Sequence, residues 1–536
     1  MRSIEERRQI ISAYKDFDGL NYPQVLEKRA AQYPDKELFI HGNDRITYKE
    51  FNDAVDHLAA ALKKKGLKRG DPCGLLLPNG IKYLKFQFAL LRLGAILLTL
   101  DTRHRAHELN FRLGFSKAPW LIMVDHFLKG NFVEIISEIK SELPNLTSTY
   151  VDGASIPEGM LDINELLSYR ASNEELDDIR NNSVEDSADA TILFTSGTTA
   201  DPKGVIMSHR ARVFTGIRVS ERMLITDDDV LLDPLPFCHE FGGFTIVSHA
   251  VVSGATMIIM DVFNTKEALE LIDREKVSVI YGVPTMFTYM LDFPQLSEYD
   301  ISSLRTGYMS GAACSLELVT RVQNDMGCNI SVAYGLSEAP SETISEYEDA
   351  PEIKSSTIGK PIRDTKVKIV DDSRKEVPYG TAGEIAIRGK NILNRYFERP
   401  DLTKEAIDED GFLYTKDLGK MDEKGYISFF GRKGDMIQTG GFNVYPIEVE
   451  EVLCSLPSVA NAAAIGLNDP IYGESVCACV ILAEGQTATE KDIIAHCEKQ
   501  LAKYKVPKKV VFMDEFPLTP GTTKIRKGEL QKMVAK

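Results

Sequence analysis

Between Thr47 and Val124 the hydrophobic period of the sequence switches repeatedly, and this alternation restricts the fold more than any other feature. Thr47-Tyr48-Lys49-Glu50 has the form of a capping box, in which a threonine oxygen and a glutamate three residues later satisfy exposed amides at a helix start. Phe51, Ala54, Val55, Leu58, Ala59 and Leu62 then recur at helical spacing, and Gly66 ends the run. Residues 73–77 read as a strand, Ile81–Leu93 as a helix, 95–100 as a strand, 107–113 as a helix and Trp120–Val124 as a strand. Apolar strands separated by helices call for a largely parallel sheet covered on both faces. The expected class is α/β, with doubly wound sheets in a large N-terminal domain.

The alternation pauses over residues 150–189, a polar, acidic and loop-rich connection, and resumes with strands at 230–232 and 277–281 around a helix at 243–252. After about residue 365 the texture shifts to short strands and turns, Lys366–Val370, Gly383–Arg388 and 426–430, which predict a small antiparallel or barrel-like β subdomain. Beyond Gly434 a helix at 446–453, strands at 459–465 and 474–482, and a helix at 490–502 form a small α+β unit. About a hundred residues suffice for a separate core. The expected division is an N-terminal domain over 1–432 and a mobile C-terminal domain over 433–536.

Length and charge narrow the function. A chain of 536 residues exceeds one ordinary core, and a net charge of −16 disfavours non-specific nucleic-acid binding. The eight cysteines show no metal-site spacing, so reduced thiols in a cytoplasmic enzyme are expected. The first residues lack an apolar signal region. Residues 241–260 carry no Asp, Glu, Lys or Arg over about the length of a membrane span. His249 and the Ser253-Gly254 break favour a buried helix followed by a strand instead.

Residues 191–209, TILFTSGTTADPKGVIMSH, hold the densest chemistry. An apolar run, 191–194, precedes Thr195, Ser196, Gly197, Thr198 and Thr199, and Lys203-Gly204 follow. Small residues let backbone amides approach an anion, hydroxyls add donors, and lysine supplies full charge. GxxxxGK[ST] cannot be placed on the stretch, so it is no Walker loop, and a Ser/Thr-rich surface turn has the same composition. As a string, TSGTTADPKG resembles the phosphate loop of the adenylate-forming enzymes: acyl-CoA synthetases, luciferases and peptide-synthetase adenylation domains. Those relatives usually carry glycine where this chain has Ala200.

The resemblance extends from Thr47 to Leu530. Tyr334-Gly335-Leu336-Ser337-Glu338 is similar to the family motif YGxTE, which implies adenine stacking by Tyr334, an α-phosphate contact from Ser337 and a Mg²⁺ ligand in Glu338. Asp417 matches the ribose-binding aspartate, with Lys416 in place of the usual glycine, and Arg432 matches the arginine that also reaches the ribose. Gly434 and Asp435 stand at the expected hinge. Gly440, Gly441 and Phe442 resemble the loop facing the CoA side. Lys524 aligns with the catalytic C-terminal lysine, although Thr523 replaces the usual preceding glycine. Gly311, Ala312 and Ala313 match a small-residue segment near adenine and acyl group. His239 resembles the histidine that gates the carboxylate, and Glu240 follows it where amino-acid-activating relatives place an amine-binding aspartate; a helix-start glutamate is its structural alternative. The acyl pocket is thus expected to involve His239, Glu240, Gly311 and Gly335.

The implied activity is that of an AMP-forming acyl-CoA synthetase using ATP, Mg²⁺ and coenzyme A. A carboxylate attacks the α-phosphorus of ATP, and the acyl-adenylate is then attacked by a thiol. The acid expected is medium-chain, alicyclic or aromatic. No membrane-spanning segment or nucleic-acid partner is expected, and oligomeric state is not readable. A carrier-protein loader of amino or aryl acids is the nearest alternative, and a non-catalytic nucleotide-binding homologue a second.

Overall fold

The computed structural model describes residues 2–195, 202–518 and 525–535. The described chain divides into two compact units. The larger holds the described residues up to Lys366 together with Arg388–Asp408, and the smaller holds Val367–Ile387 with those from Glu409 onward.

The larger unit is built on two sheets. In the nine-stranded sheet, the strands Glu37–His41, Thr256–Ile259, Val230–Asp233, Val279–Gly282, Thr306–Met309 and Asn329–Leu336 run parallel, with antiparallel strands at both edges. In the eight-stranded sheet, Asp189–Thr195, Ile96–Thr99, Pro72–Leu76, Trp120–Val124 and Ser148–Asp152 form the parallel centre. Strand alternation sorts side chains into layers. Leu231, Val279 and Met257 enter the core shared with Leu75 and Leu97 of the other sheet, while Leu232, Ile280 and Ile258 enter an outer core. Leu76 and Leu98 likewise face a third core, with Leu109, Leu113 and Ile136. Helices Tyr48–Lys64, Ile81–Leu93, His209–Met223 and Val247–Ser253 supply the shared core. The strands Val230–Asp233, Thr256–Ile259, Val279–Gly282, Pro72–Leu76 and Ile96–Thr99 are therefore apolar on both faces.

Local signals placed several boundaries. Thr47 and Glu50 form the expected reciprocal cap of Tyr48–Lys64. Residues 241–260 are a buried helical stretch that stops at Gly254, followed by the strand Thr256–Ile259. Among the described residues no helix is long and apolar enough to cross a membrane. The acidic connection after residue 150 is more ordered than its composition predicts: Ser172 and Glu175 cap a helix, Asn173–Arg180, whose Ile179 is buried.

The small antiparallel or barrel-like β part, expected within the N-terminal domain, is a four-stranded sheet of Lys366–Val370, Gly383–Arg388, Leu413–Met421 and Ile427–Arg432 that groups with the smaller unit. A five-stranded sheet follows, in which Gly473–Leu482 pairs along its length with the antiparallel edge strand Val459–Asp469. Helices Pro446–Cys454 and Glu490–Glu498 cover one face through Val449, Leu453, Ile493 and Cys497.

Candidate active site

The hairpin flanking the predicted phosphate grip ends with Thr195 opposite Lys203. Ser196, Gly197, Thr198 and Thr199 lie outside the described residues, as does Ala200. Lys203–Ser208 pairs on its other side with the short strand Arg395–Tyr396, and the Phe397 amide donates to the Gly204 carbonyl at 2.7 Å. The Lys203 ammonium lies 5.3 Å from the centre of the Tyr396 ring, a cation–π distance. The Tyr396 hydroxyl donates to Glu338 Oε1 at 3.1 Å. The Leu393 amide donates to the Glu338 carbonyl at 2.7 Å, and the Asn391 side-chain amide to the Pro340 carbonyl at 2.9 Å. Residues 391–397 thus strap the edge of one sheet to the edge of the other, and bring Lys203 and Glu338 onto one tyrosine. No sequence motif marked Tyr396, because its neighbours come from strands far away in the chain.

Ser337 and Glu338 form the two-residue turn between Leu336 and Ala339, which pair with each other. Tyr334 sits near the end of its strand and is mostly buried, while Gly335 is exposed on one side. An added Cβ at Gly335 would meet the Ser341 amide nitrogen at 2.3 Å, so this narrow hairpin needs glycine there. Gly311, Ala312 and Ala313 follow the neighbouring parallel strand and are all exposed. His239 and Glu240 follow the parallel strand Val230–Asp233. All three predicted wall segments thus leave the carboxyl ends of parallel strands, where open α/β sheets bind ligands.

His239 and Glu240 precede a π-helix, Phe241–Ile246. This wider turn accompanies a very close approach: a Cβ at Gly243 would stand 1.8 Å from the Phe237 carbonyl oxygen. The Glu240 carboxylate forms an ion pair with Arg212 on helix His209–Met223. Arg212 is buried, donates to Thr191 Oγ1 at 2.7 Å, and lies 4.0 Å from the Phe244 ring centre. Burial raises the Glu240 carboxyl, and Arg212 opposes that rise. Its charge therefore already has an internal partner. His239 Nε2 lies 3.2 Å from Asp101 Oδ2 and 3.1 Å from Arg103 Nη2. Neither Asp101 nor Arg103 stood out in the sequence, where they read as ordinary charges after a strand.

In the smaller unit, Asp417 and Arg432 face each other across the pair Leu413–Met421 and Ile427–Arg432. Arg432 Nε approaches Asp417 Oδ1 at 2.7 Å, and the Asp417 side chain is 2% exposed. The arginine is thus more than a surface charge: it compensates a buried carboxylate. Lys416 adopts φ of 60°, the left-handed region, which is the physical reason glycine suits this position. Gly434 and Asp435 lie in a single 3₁₀ turn, Lys433–Asp435. Gly440 and Gly441, with φ of 58° and 83°, make the two-residue turn of a hairpin. Phe442 follows, 55% exposed and stacked on Tyr504 at 4.6 Å. Lys524 lies outside the described residues. All eight cysteines are free.

Comparison with known proteins shows the family and the fold. Residues 26–397 match the family model of the AMP-binding enzymes, and residues 448–521 match the model of the AMP-binding enzyme C-terminal domain. The chain is 34% identical to the putative acyl-CoA synthetase YngI of Bacillus subtilis, over 95% of this chain and 96% of that protein. It is 33% identical to a Rhodococcus jostii 3-[(3aS,4S,7aS)-7a-methyl-1,5-dioxo-octahydro-1H-inden-4-yl]propanoyl:CoA ligase, over 95% and 98% of the two chains. Its fold matches ATP-bound MatB from Rhodopseudomonas palustris with a TM-score of 0.85 and 26% identity, over 96% and 99% of the chains. The protein belongs to the AMP-binding, adenylate-forming enzyme family, in its acyl-CoA synthetase branch.

Proposed function

We propose that the chain is an AMP-forming acyl-CoA synthetase in which Lys203 and Glu338 serve the polyphosphate of ATP. The observation that carries this reading is their shared tyrosine: Lys203 over the Tyr396 ring and Glu338 bonded to its hydroxyl. A full positive charge and an anchored carboxylate are what a polyphosphate and its divalent cation require. The residues present fit Mg²⁺. Tyr396 holds one Glu338 oxygen in place, and a cation bridging phosphates needs few protein carboxylates. When bound, Mg²⁺ would lower the repulsion between the acid's carboxylate and the phosphates.

Around this pair the other roles follow the family resemblance. Ser196, Thr198 and Thr199 hold the outer phosphates, Ser337 the α-phosphate, and Tyr334 stacks on adenine beside Gly311, Ala312 and Ala313. Asp417 accepts from the ribose hydroxyls with Arg432 beside it. Lys524 bridges the carboxylate and the α-phosphate during adenylation. Gly440, Gly441 and Phe442 line the path of the CoA thiol, the C-terminal domain over 433–536 is mobile, and Gly434 with Asp435 is its hinge. The acid is medium-chain, alicyclic or aromatic; the bicyclic propanoate named for the Rhodococcus relative supports that range. The free cysteines support a reducing, cytoplasmic setting.

A panel of carboxylic acids, scored for AMP release with and without CoA, tests the assignment. CoA-dependent turnover with acyl-CoA as product is expected. Pyrophosphate exchange that ignores CoA would instead indicate a carrier-protein loader. Lys524→Ala is expected to lose adenylation while still converting supplied acyl-adenylate and CoA to thioester. Survival of both half-reactions would remove Lys524 from its role.

A further inference from the structure

We propose that Asp101 and Arg103 are positioning residues that set the ring of His239 and, together with it, form a receptor for the carboxylate of the acid substrate. The proposal rests on the ligase reading above and deepens it. Asp101 follows the strand Ile96–Thr99 in one sheet, and His239 follows Val230–Asp233 in the other. The Arg103 guanidinium donates to Asp101 from Nε at 2.8 Å and from Nη2 at 2.6 Å, and its backbone amide donates to Asp101 Oδ1 at 2.8 Å. Nη2 also stands 3.1 Å from His239 Nε2, and Nε2 stands 3.2 Å from Asp101 Oδ2. Side-chain exposure is ordered: 7% for the Asp101 anion, 34% for Arg103 and 43% for His239. One buried anion therefore lies beneath two partly exposed nitrogen groups, and Asp101, Arg103 and a protonated His239 taken together sum to one positive charge.

The same atoms also raise a metal reading, because Asp101, Cys238 and His239 offer ligand atoms within 4.8 Å of one another. Carboxylate, thiolate and imidazole are zinc ligands. The guanidinium decides between the two. A permanently charged nitrogen 3.1 Å from the would-be ligand Nε2 opposes a dication there and favours an anion.

The surrounding charges agree. Burial tends to raise Asp101, but hydrogen bonds from His239 and Arg103 outweigh it and hold the carboxyl well below the usual range. Cys238 and Asp101 push the His239 imidazole up to about 10 against the effect of burial. His104, whose Nδ1 accepts from the Asp101 amide at 3.1 Å, is pushed down to about 3 by burial and then by Arg112, so it adds no charge at neutral pH. Burial lowers Arg112 from its ordinary value. The Tyr83 hydroxyl is spent on the Phe237 carbonyl at 3.2 Å.

Acid-dependent ATP–pyrophosphate exchange, run across pH on the full-length enzyme, tests the proposal. Asp101→Asn is expected to raise the KM for the acid about tenfold or more, with the KM for ATP unchanged. The alkaline loss of acid affinity should also move down by at least about one pH unit, because His239 loses its anionic partner. Arg103→Gln should raise the acid KM likewise, and Arg103→Lys should recover part of the loss. Because Asp101 is buried, the half-exposed Arg103 variants decide the matter if Asp101→Asn does not fold. Variants with wild-type acid KM and pH profile would overturn the proposal, as would equal losses for acid and ATP. One zinc ion retained per chain after equilibrium dialysis would overturn it in favour of a metal site. A wild-type enzyme without exchange for any acid would instead overturn the ligase reading itself.

Discussion

Tyr396→Phe isolates one bond of the polyphosphate site. The substitution keeps the ring, its packing and the Lys203 contact at 5.3 Å, and removes only the hydroxyl that donates to Glu338 Oε1. A hydrogen bond to a charged acceptor contributes roughly 1.5–3 kcal/mol. At 3.1 Å this one is longer than the usual O–H···O distance of about 2.7–2.8 Å, which places it near the lower limit. A loss of about 1.5 kcal/mol corresponds to roughly a twelvefold fall in kcat/KM. The fall should appear in ATP-dependent pyrophosphate exchange as a higher requirement for ATP and Mg²⁺, with the acid KM unchanged. Thermal unfolding should stay at the wild-type midpoint, since no packing is lost. Exchange within twofold of wild type would refute the idea that Tyr396 holds Glu338 for catalysis. A loss equally large in the acid KM would show that the hydroxyl supports the fold of the site as a whole.

Gly243→Ala should abolish soluble expression or activity, because the new methyl would stand 1.8 Å from the Phe237 carbonyl and that atom is backbone; circular dichroism and exchange assays read both. Glu240→Ala leaves Arg212 buried without its carboxylate, so a stability loss of roughly 3–5 kcal/mol is expected. Replacing both, as Glu240→Leu with Arg212→Met, should recover much of it in denaturant unfolding. An unchanged midpoint for Glu240→Ala would show that the pair is not the carboxylate's main role. Lys354 is buried, donates to Asn329 Oδ1 at 2.6 Å, and burial pushes it down to about 8. The folded state then binds fewer protons than the unfolded chain between about pH 8 and 10.5, so this group makes stability rise with pH across that window and opposes folding below it. Lys354→Met should flatten that rise relative to wild type, measured by unfolding at pH 8 and 10.

Local chemistry was legible where it is self-contained. The Thr47–Glu50 cap and the stop at Gly254 depend on neighbouring residues, and both boundaries could be read from the sequence. The helix Asn173–Arg180 was hidden because its capping residues sit in an acidic stretch and only Ile179 marks a buried side. The π-helix at Phe241–Ile246 has no periodic signature; it goes with the close approach of Gly242 and Gly243 to carbonyls of 235–237. Motif residues such as Tyr334, Glu338 and Asp417 were visible as strings. The partners of Glu338, Glu240 and His239 were not, because Tyr396, Arg212, and Asp101 with Arg103 reach them through sheet order and helix packing. Lys416 was visible only as a departure from a glycine, and its left-handed backbone supplies the reason.

The strap formed by 391–397 carries a consequence for how the polypeptide can be cut. The chain leaves the larger unit after Lys366, returns at Arg388 and leaves again after Asp408. A single protease nick therefore cannot separate the two units, and a gene split at one position cannot encode each of them whole. Cleavage just before Arg388 would leave the tyrosine beneath Lys203 on the C-terminal fragment, retained by its strand pairing with Val205 and Ile206. Loss of that fragment would remove Tyr396, a residue of the larger unit, together with most of the smaller unit.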